Sequence, residues 1–327
     1  MGLHRWLQFD MEQAVREITR RFREAVTLTL SRRGAVVAVS GGVDSSVCAA
    51  LATEAFGKDK VYGLILPERD SSPSSRLLGE ELCRQLDIPY EVKDIAPTLE
   101  AIGCYAWRDN AIRMVFPEYG PDWKNKILIS QGLLDSDRMN FFKLVVERPD
   151  GEMMEKRLPL KAYLQIVAAT NFKQRVRKTL EYFHADRLNF AVTGTPNRLE
   201  YDQGFFVKNG DGAADVKPIA HLYKSQVYEM GRFLRLPESI LSSRPSTDTY
   251  SLAQSQEEFY FVLPHEKMDL VLCGFNAERS PEDVGSETGL TPEQVLRVFR
   301  DIQVKRRTTS ALHMKPILMA PVPEIVV

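Results

Sequence analysis

The stretch Ser-Gly-Gly-Val-Asp-Ser-Ser at residues 40–46 carries the residue types of a phosphate-binding turn. Gly41 and Gly42 would let the backbone approach an anion without obstruction by a Cβ atom, and a following helix would supply unpaired N–H groups. Asp44 is unusual beside phosphate unless a divalent cation lies between the carboxylate and the phosphate oxygens. The alternative is a glycine-rich turn in which Asp44 or Ser45 only caps the helix.

A second group of polar residues follows an apolar run that ends near residue 192. Gly194 and Thr195 come directly after that run, where ligand-binding loops lie in open α/β sheets. Glu200 offers a second hard oxygen ligand that could share a cation with Asp44, because magnesium sites that handle phosphate use one or two carboxylates. The other acids of this stretch are equally consistent with ordinary turns, since Asp and Gly favour turns for local reasons.

The elements that would position these residues alternate between strand and helix. Short apolar runs predict buried strands at 35–39, 61–66, 190–192 and from residue 90. Amphipathic or alanine-rich stretches predict helices at 11–29, 47–56, 77–86, 163–183, 224–235 and 292–303, with a polar loop over 194–217. This order is typical of a Rossmann-like α/β fold, in which helices cover both faces of a doubly wound parallel sheet.

Residues 104–160 interrupt this pattern. Two strand-like runs at 141–147 and 152–158 flank Arg-Pro-Asp-Gly, which favours a turn, so a small β-hairpin is predicted there. We interpret 104–160 as an insertion within a single domain that spans 1–327. Its position would allow it to reshape a substrate pocket, although Trp107 and Trp123 are more simply explained as packing residues.

Composition narrows the class of protein. The 327 residues contain 43 Lys and Arg against 44 Asp and Glu, a formal net charge of -1, which argues against nucleic-acid coat proteins and basic membrane-surface binders. No apolar run approaches the ~20 residues of a membrane span, and the N-terminus does not resemble a signal peptide. The four cysteines form no Cys-x-x-Cys pair, so we expect a cytoplasmic protein without disulfides or a zinc ribbon.

The motifs resemble those of a known family. Ser-Gly-Gly-x-Asp-Ser resembles the pyrophosphate-binding loop of the PP-loop ATP pyrophosphatases, and it lacks the Gly-Lys-Ser/Thr of a Walker A loop. With it occur Asn171-x-x-x-Arg175-x-Arg177, Gly-Thr, Gly-Phe-Phe-x-Lys, Gly-Asp-Gly-x-Ala-Asp and Leu-Tyr-Lys-Ser-Gln-Val. In this order, from about residue 35 to 307, they are similar to the ammonia-dependent NAD synthetases. The chain resembles a divergent member with an insertion.

The resemblance implies a set of site residues. The ATP-binding loop would be Ala38, Val39, Ser40, Gly41, Gly42, Val43, Asp44, Ser45 and Ser46, with Thr195, Lys224 and Ser246 completing the ATP site. The dinucleotide would contact Arg175, Lys208 and Asp215, while Lys305 and Arg306 are candidates for closing over phosphate. Asp44 and Glu200 would hold Mg²⁺, and Asp44 and Lys224 are the expected catalytic residues. Two departures stand out: Pro-Ser-Thr-Asp replaces the family's Pro-Thr-Ala-Asp-like element, and the closing cluster at 304–307 lacks a histidine.

The implied reaction is the ATP-dependent amidation of deamido-NAD. A nicotinate carboxylate would attack the α-phosphorus of ATP, and ammonia would then displace AMP. Such chemistry needs Mg²⁺, Lys and Arg to neutralise phosphate charge rather than a covalent nucleophile. Lys224 suits a phosphate clamp, although a solvated lysine in the first turn of a helix is the plainer alternative.

Several partners and alternatives follow from the resemblance. No glutaminase domain is visible, so ammonia would come from solution or from a separate glutaminase. The resemblance implies a homodimer, while the composition argues against membrane and nucleic-acid partners. Three alternatives stay open: an amide ligase for a different carboxylate, a PP-loop RNA-modifying enzyme, and a nucleotide-sensing paralogue without turnover. Neutral charge and the lack of paired cysteines argue against RNA modification. Retention of Asp44, Glu200 and Lys224 argues against loss of turnover.

Overall fold

The computed structural model describes residues 2–129, 141–243 and 249–325. Its central sheet has four parallel strands in the order β3-β2-β1-β7, and Ala35 pairs with Val61 on one side and with Ala191 on the other. The predicted doubly wound parallel sheet is confirmed. The strands are β1 (Ala35–Ala38), β2 (Val61–Ile65), β3 (Tyr90–Val92) and β7 (Ala191–Thr193).

Helices cover both faces of this sheet, as predicted. Val37 of β1 faces a core built with α1, α2 and α8, whereas its neighbour Val36 faces a second core built with α4, α5 and α6. Side chains that alternate between two buried cores explain why β1 is apolar at every position. The helices are α1 (Met11–Glu24), α2 (Val43–Phe56), α3 (Pro73–Gln85), α4 (Ala96–Ala101), α5 (Cys104–Arg113), α6 (Leu160–Leu188), α7 (Arg198–Gln203), α8 (Lys224–Phe233), α9 (Glu238–Leu241), α10 (His265–Asn276), α11 (Pro281–Thr288) and α12 (Pro292–His313).

Two of the predicted helices differ from the structure in helix type or in length. The helix predicted over 11–29 ends as an α-helix at Glu24 and continues as a π-helical turn (Ala25–Thr29). Helix α12 extends ten residues beyond the predicted end at 303, because its last part is mostly exposed and so carries no apolar periodicity. Among the described helices, none combines the length and the apolar character that crossing a bilayer requires.

The stretch 194–217, predicted as a loop, contains the short helix α7. Asn197 caps it: its side-chain Oδ1 accepts hydrogen bonds from the backbone N–H groups of Leu199 and Glu200, and the Glu200 carboxylate accepts one from Asn197 N. This reciprocal capping box satisfies N–H groups that a helix start leaves unpaired. A polar helix of six residues that depends on capping has no hydrophobic pattern for sequence analysis to detect.

The predicted hairpin within 104–160 is confirmed, and a third strand joins it. An antiparallel sheet in the order β4-β5-β6 consists of β4 (Lys124–Ile129), β5 (Phe142–Glu147) and β6 (Met153–Arg157). Ile127, Leu144 and Val146 form its core with Ile166 of α6. Helix α5, which opens the predicted insertion, joins both cores: Cys104 and Tyr105 pack on the second face of the central sheet, and Ala111 and Ile112 pack with the antiparallel sheet.

Gly41 shows why the turn after β1 needs glycine. Its φ of 81° lies in the left-handed region, and a Cβ atom there would come within 2.5 Å of the Ser75 carbonyl oxygen on α3. We expect Gly41→Ala to displace α3 from the turn, to lower the free energy of unfolding by about 1–3 kcal/mol and to weaken ATP binding. Urea unfolding and calorimetric titration with ATP measure the two effects.

Gly57 offers a matched control for this substitution. It has a similar φ of 80°, but a Cβ atom there would meet no heavy atom within 4 Å. Gly57→Ala therefore adds left-handed backbone strain without the collision, and it should leave ATP binding unchanged. Equal effects of the two substitutions would contradict a specific contact between the turn and α3.

Candidate active site

A cleft of about 1500 Å³ lies at the carboxyl ends of the parallel strands. The turn after β1, the segment after β2, helix α6 and the start of α8 line it, and β5 of the antiparallel sheet contributes Phe142. Thr193, at the end of β7, has a buried Oγ1 atom without a hydrogen-bond partner in the described part of the chain. A buried hydroxyl without a partner beside an open cleft is well placed to bond a ligand.

The predicted ATP-binding loop forms the floor of this cleft. Ser45 Oγ accepts a hydrogen bond from Ser40 N at 3.2 Å and donates one to Gly42 O at 3.0 Å, so this hydroxyl stabilises the turn from within. Ser46 donates to Gly42 O at 2.8 Å and is fully buried beneath the turn, outside the lining of the cleft. Residues 38–45, which include the start of α2, line the cleft.

Asp44 and Lys224 meet across the cleft. The Lys224 ammonium donates to Asp44 Oδ2, and Asn197 Nδ2 donates to Asp44 Oδ1 at 3.1 Å. Asn197 is also the residue that caps α7 and holds Glu200, so it links the two carboxylates that the sequence singled out. Three segments far apart in the chain therefore converge on one cluster: α2, α7 and α8.

Burial and charge shift the pKa values in this cluster. Burial, followed by the negative charge of Asp44, raises the pKa of Glu200 to about 7. Burial disfavours the charged form of Lys224, but Asp44 and Glu200 outweigh that effect and raise the pKa of Lys224. The lysine is thus a firmly held cation at neutral pH. Asp269 anchors it by accepting hydrogen bonds from Lys224 N at 3.2 Å and Ser225 N at 2.7 Å.

The donor set suits a magnesium ion that arrives with phosphate. Asp44 and Glu200 both line the cleft, and the negative charge of Asp44 helps to raise the pKa of Glu200, so a divalent cation shared by the two carboxylates would be favourable. Within residues 2–129, 141–243 and 249–325, no group of three or more His, Cys, Asp or Glu side chains could hold a metal ion. The remaining ligands would therefore be phosphate oxygens and water.

Four further residues predicted from the resemblance also line the cleft. Arg175 Nε donates to Lys208 O at 3.3 Å, and Lys208 Nζ donates to Ala311 O at 2.9 Å, which links α6, the Gly-Phe-Phe loop and the end of α12. Thr195 also faces the cleft. Lys305 is nearly buried at its edge, where its ammonium pairs with Asp301 and donates to Tyr260 O at 2.7 Å.

The remaining predicted residues lie elsewhere. The Asp215 carboxylate accepts a hydrogen bond from Val192 N at 2.7 Å and lies outside the cleft lining. Arg306, also outside it, makes two hydrogen bonds of 2.7 Å to Asp202 on α7. Ser246 lies outside the described residues. These positions stay predictions as ligand-binding residues.

Two features of the site were not predicted from the sequence: Asn197 and a buried charge cluster around Lys173. The pattern Asn-x-x-Glu at 197–200 is a capping-box signature that could have identified Asn197. Lys173 on α6 had no such signal. Its ammonium lies 2.8 Å from Glu68 Oε1 and 2.7 Å from Asp70 Oδ2, and both partners are about 100 residues away in sequence.

A four-stranded parallel sheet, with a glycine turn after β1 and an acid–lysine cluster beside it, defines a nucleotide-binding protein of the PP-loop type. Comparisons with known proteins make the assignment specific. The family model described as NAD synthase matches residues 14–116 and 137–309. The chain belongs to the NAD synthase family, as the sequence motifs predicted.

Individual relatives agree with this membership. The NH(3)-dependent NAD(+) synthetase of Mesorhizobium japonicum is 52% identical over 97% of this chain and 99% of that protein. Among solved structures, NMN synthetase from Francisella tularensis has a TM-score of 0.64 at 22% identity, covering 96% of this chain and 100% of that one. The NH3-dependent NAD synthetase from Campylobacter jejuni has a TM-score of 0.62 at 19% identity, with the same coverage. These structures support the predicted PP-loop fold.

Proposed function

We propose that this chain is an ammonia-dependent ligase that converts deamido-NAD to NAD with cleavage of ATP to AMP and pyrophosphate. A nicotinate carboxylate oxygen attacks the α-phosphorus of ATP, and the bond to the leaving pyrophosphate breaks. Ammonia then attacks the carbonyl carbon of the acyl adenylate, loses a proton and displaces AMP. The convergence of Asp44, Glu200 and Lys224 beside the glycine turn is the observation that carries the proposal.

Several groups of the chain would each neutralise part of the phosphate charge. The turn at 38–45 offers backbone N–H groups and the start of α2 to the leaving pyrophosphate. Asp44 and Glu200 would hold Mg²⁺, which supplies Lewis-acid polarisation of the phosphates when bound. Lys224 neutralises charge that develops on phosphate, and Asp269 fixes the backbone from which this lysine projects.

Other side chains of the cleft are proposed to bind the dinucleotide and the rest of ATP. Arg175 and Lys208 would neutralise the phosphates of deamido-NAD, while Thr195 would contact ATP. Asp215, Lys305, Arg306 and Ser246 complete the proposed binding set by family resemblance. The proposed reaction needs no covalent nucleophile. Cys48, which lies on α2 behind the turn, is poorly suited to be one, because burial raises the pKa of its thiol.

The setting of the enzyme is also proposed. We infer a homodimer that uses free ammonia, as the family resemblance implies. Exposed apolar side chains on α6, including Leu160 and Leu164 one turn apart, offer a surface that a second copy could cover. All four cysteines are free thiols, which suits the reducing cytoplasm. The single-domain organisation, with the insertion at 104–160, belongs to the same proposal, as does the absence of nucleic acid and membrane among its partners.

Product analysis tests the proposed reaction. Purified protein incubated with ATP, Mg²⁺, ammonium and deamido-NAD should yield equal amounts of AMP, pyrophosphate and NAD, separated by liquid chromatography. Glutamine in place of ammonium should give no product unless a separate glutaminase is added. If nicotinate mononucleotide or another carboxylate releases AMP and deamido-NAD does not, the ligase class holds and the proposed substrate is wrong.

A binding measurement tests the RNA-modifying alternative. Nonspecific, phosphate-driven binding to tRNA falls steeply with ionic strength. An enzyme that modifies tRNA should still bind it at moderate salt. We expect no retention of tRNA at 200 mM salt.

A further inference from the structure

Residues 249–256, which we call the crossing segment, lie along the edge of strand β4 that does not pair with β5. Leu252 N donates to Asn125 O at 3.1 Å, and Asn125 N donates to Ser251 Oγ at 2.8 Å. Gln254 Nε2 donates to Ile127 O one step further along the strand. The antiparallel sheet thus holds the crossing segment by successive hydrogen bonds.

The start of the crossing segment is fixed to the main body of the protein. Thr249 O accepts a hydrogen bond of 2.7 Å from the Lys173 ammonium, which is buried on α6. The same ammonium pairs with Glu68 and Asp70 after β2. A charge-assisted bond from a buried lysine with two other partners is a rigid attachment.

The end of the crossing segment reaches the acidic cluster. Gln256 Nε2 donates to Glu200 Oε1 at 3.0 Å, while Glu200 Oε2 accepts from Asn197 N at 3.1 Å. Each carboxylate oxygen therefore has a donor that fixes it. Asn197 belongs to the same capping box as Glu200, whereas Gln256 approaches from the segment held by β4.

We propose that Gln256 is a positioning residue for Glu200, held in place by the antiparallel sheet through the crossing segment. This inference rests on the proposed role of Glu200 as a ligand of the magnesium ion. A carboxylate held by two donors keeps its remaining lone pairs directed at the cation, and loss of such a supporting bond weakens metal binding by about 10–100-fold. The insertion is then part of the metal site although it supplies no ligand.

Metal binding without turnover tests this role. The probe is Mn²⁺, followed by electron paramagnetic resonance in the presence of α,β-methylene ATP, which cannot be cleaved between the α- and β-phosphates. Gln256→Met keeps the side-chain volume and removes the amide, so we expect about tenfold weaker Mn²⁺ binding. The same change at Gln13, an exposed residue on α1, is the matched control and should have no effect.

Two further variants separate the possible outcomes. Glu200→Gln should weaken Mn²⁺ binding at least as much as Gln256→Met, and unchanged binding there would overturn the metal role of Glu200 itself. If Glu200→Gln weakens binding and Gln256→Met does not, the positioning role is wrong and the proposed function stands. Ser251→Ala removes the acceptor of the Asn125 N–H and should weaken Mn²⁺ binding by about threefold if the sheet contributes.

Urea unfolding curves provide the check on general disruption. The midpoint for Gln256→Met should match that of the unsubstituted chain, and binding of the ATP analogue without metal should be unchanged. An equal loss of analogue binding with and without Mn²⁺ would overturn the inference, because it would indicate a distorted cleft rather than a misplaced carboxylate.

Discussion

Asp44→Asn will lower the rate of pyrophosphate release by about a thousandfold while the protein stays folded. The substitution keeps the shape of the side chain and an oxygen that can accept from Asn197, but it removes the charge that faces Lys224 and the cation. Loss of about 4 kcal/mol of transition-state stabilisation corresponds to this factor, a reasonable value for losing a metal ligand. A coupled pyrophosphate assay under saturating ATP measures it.

Asp44→Asn would also leave Lys224 without its ion-pair partner. Lys224 is nearly fully buried, and Glu200 is the other acid whose charge raises its pKa. A lysine that loses its buried partner destabilises the fold, so Asp44→Asn should also lower the free energy of unfolding, by up to about 3–5 kcal/mol. The double variant Asp44→Asn, Lys224→Met should recover much of that stability without recovering activity.

The exposed Asp59 supplies the matched control. Asp59→Asn makes the same chemical change beyond the end of α2 and should alter neither the rate nor the unfolding curve. Full activity of Asp44→Asn would exclude Asp44 from the mechanism. A loss of activity that the double variant restores would indicate that only the stability of the site had changed.

The parts of the molecule that a short motif or an apolar run marks in the sequence were predictable. The apolar run that became β1 has side chains buried on both faces, and Gly41 and Asp44 follow it at the point where a parallel strand ends. Glu200 was identified by chemical type together with family resemblance. In each case a local motif marks the residue, although its partners in the fold, such as Lys224 for Asp44, come from distant segments.

The unpredicted parts depend on contacts between distant segments. Strand β4 is stabilised by β5 on one edge and by residues 251–254 on the other, so its short, mixed sequence carries no clear pattern of its own. Gln256 meets Glu200 only because the crossing segment lies along β4. The motif around Asp215 predicts a ligand contact, which stays a prediction; in the structure its carboxylate accepts a hydrogen bond from the backbone N–H of Val192 in β7.

Lys173→Met will unfold the protein at markedly lower urea concentration. The Lys173 side chain is almost fully buried, and its ammonium is bonded to Glu68, Asp70 and the Thr249 carbonyl. Removing the cation leaves the buried Glu68 without that charge and leaves Asp70 with Arg108 and, at 3.8 Å, Arg69 as its remaining ion-pair partners. Breaking a buried ion pair in this way costs about 3–5 kcal/mol.

The pH dependence of stability gives this prediction a second readout. Burial alone would raise the pKa of Asp70, but Lys173 and Arg108 outweigh burial and hold it below its usual value of 3.8. A lowered pKa means that the folded state binds fewer protons than the unfolded state, so this stabilisation is present above about pH 4 and is lost as the pH falls. Lys173→Met should therefore flatten the acid side of the stability curve.

Lys58→Met is the control for both measurements, because Lys58 forms an exposed pair with Asp87 whose loss should scarcely shift the unfolding midpoint. Adding Asp70→Asn to Lys173→Met removes one of the stranded carboxylates and should recover part of the lost stability. Equal unfolding midpoints for Lys173→Met and Lys58→Met would contradict the assigned strength of the buried cluster.

Because Lys173 also holds Thr249 at the start of the crossing segment, Lys173→Met should bind Mn²⁺ more weakly as well. This connects the stability of α6 to the metal site.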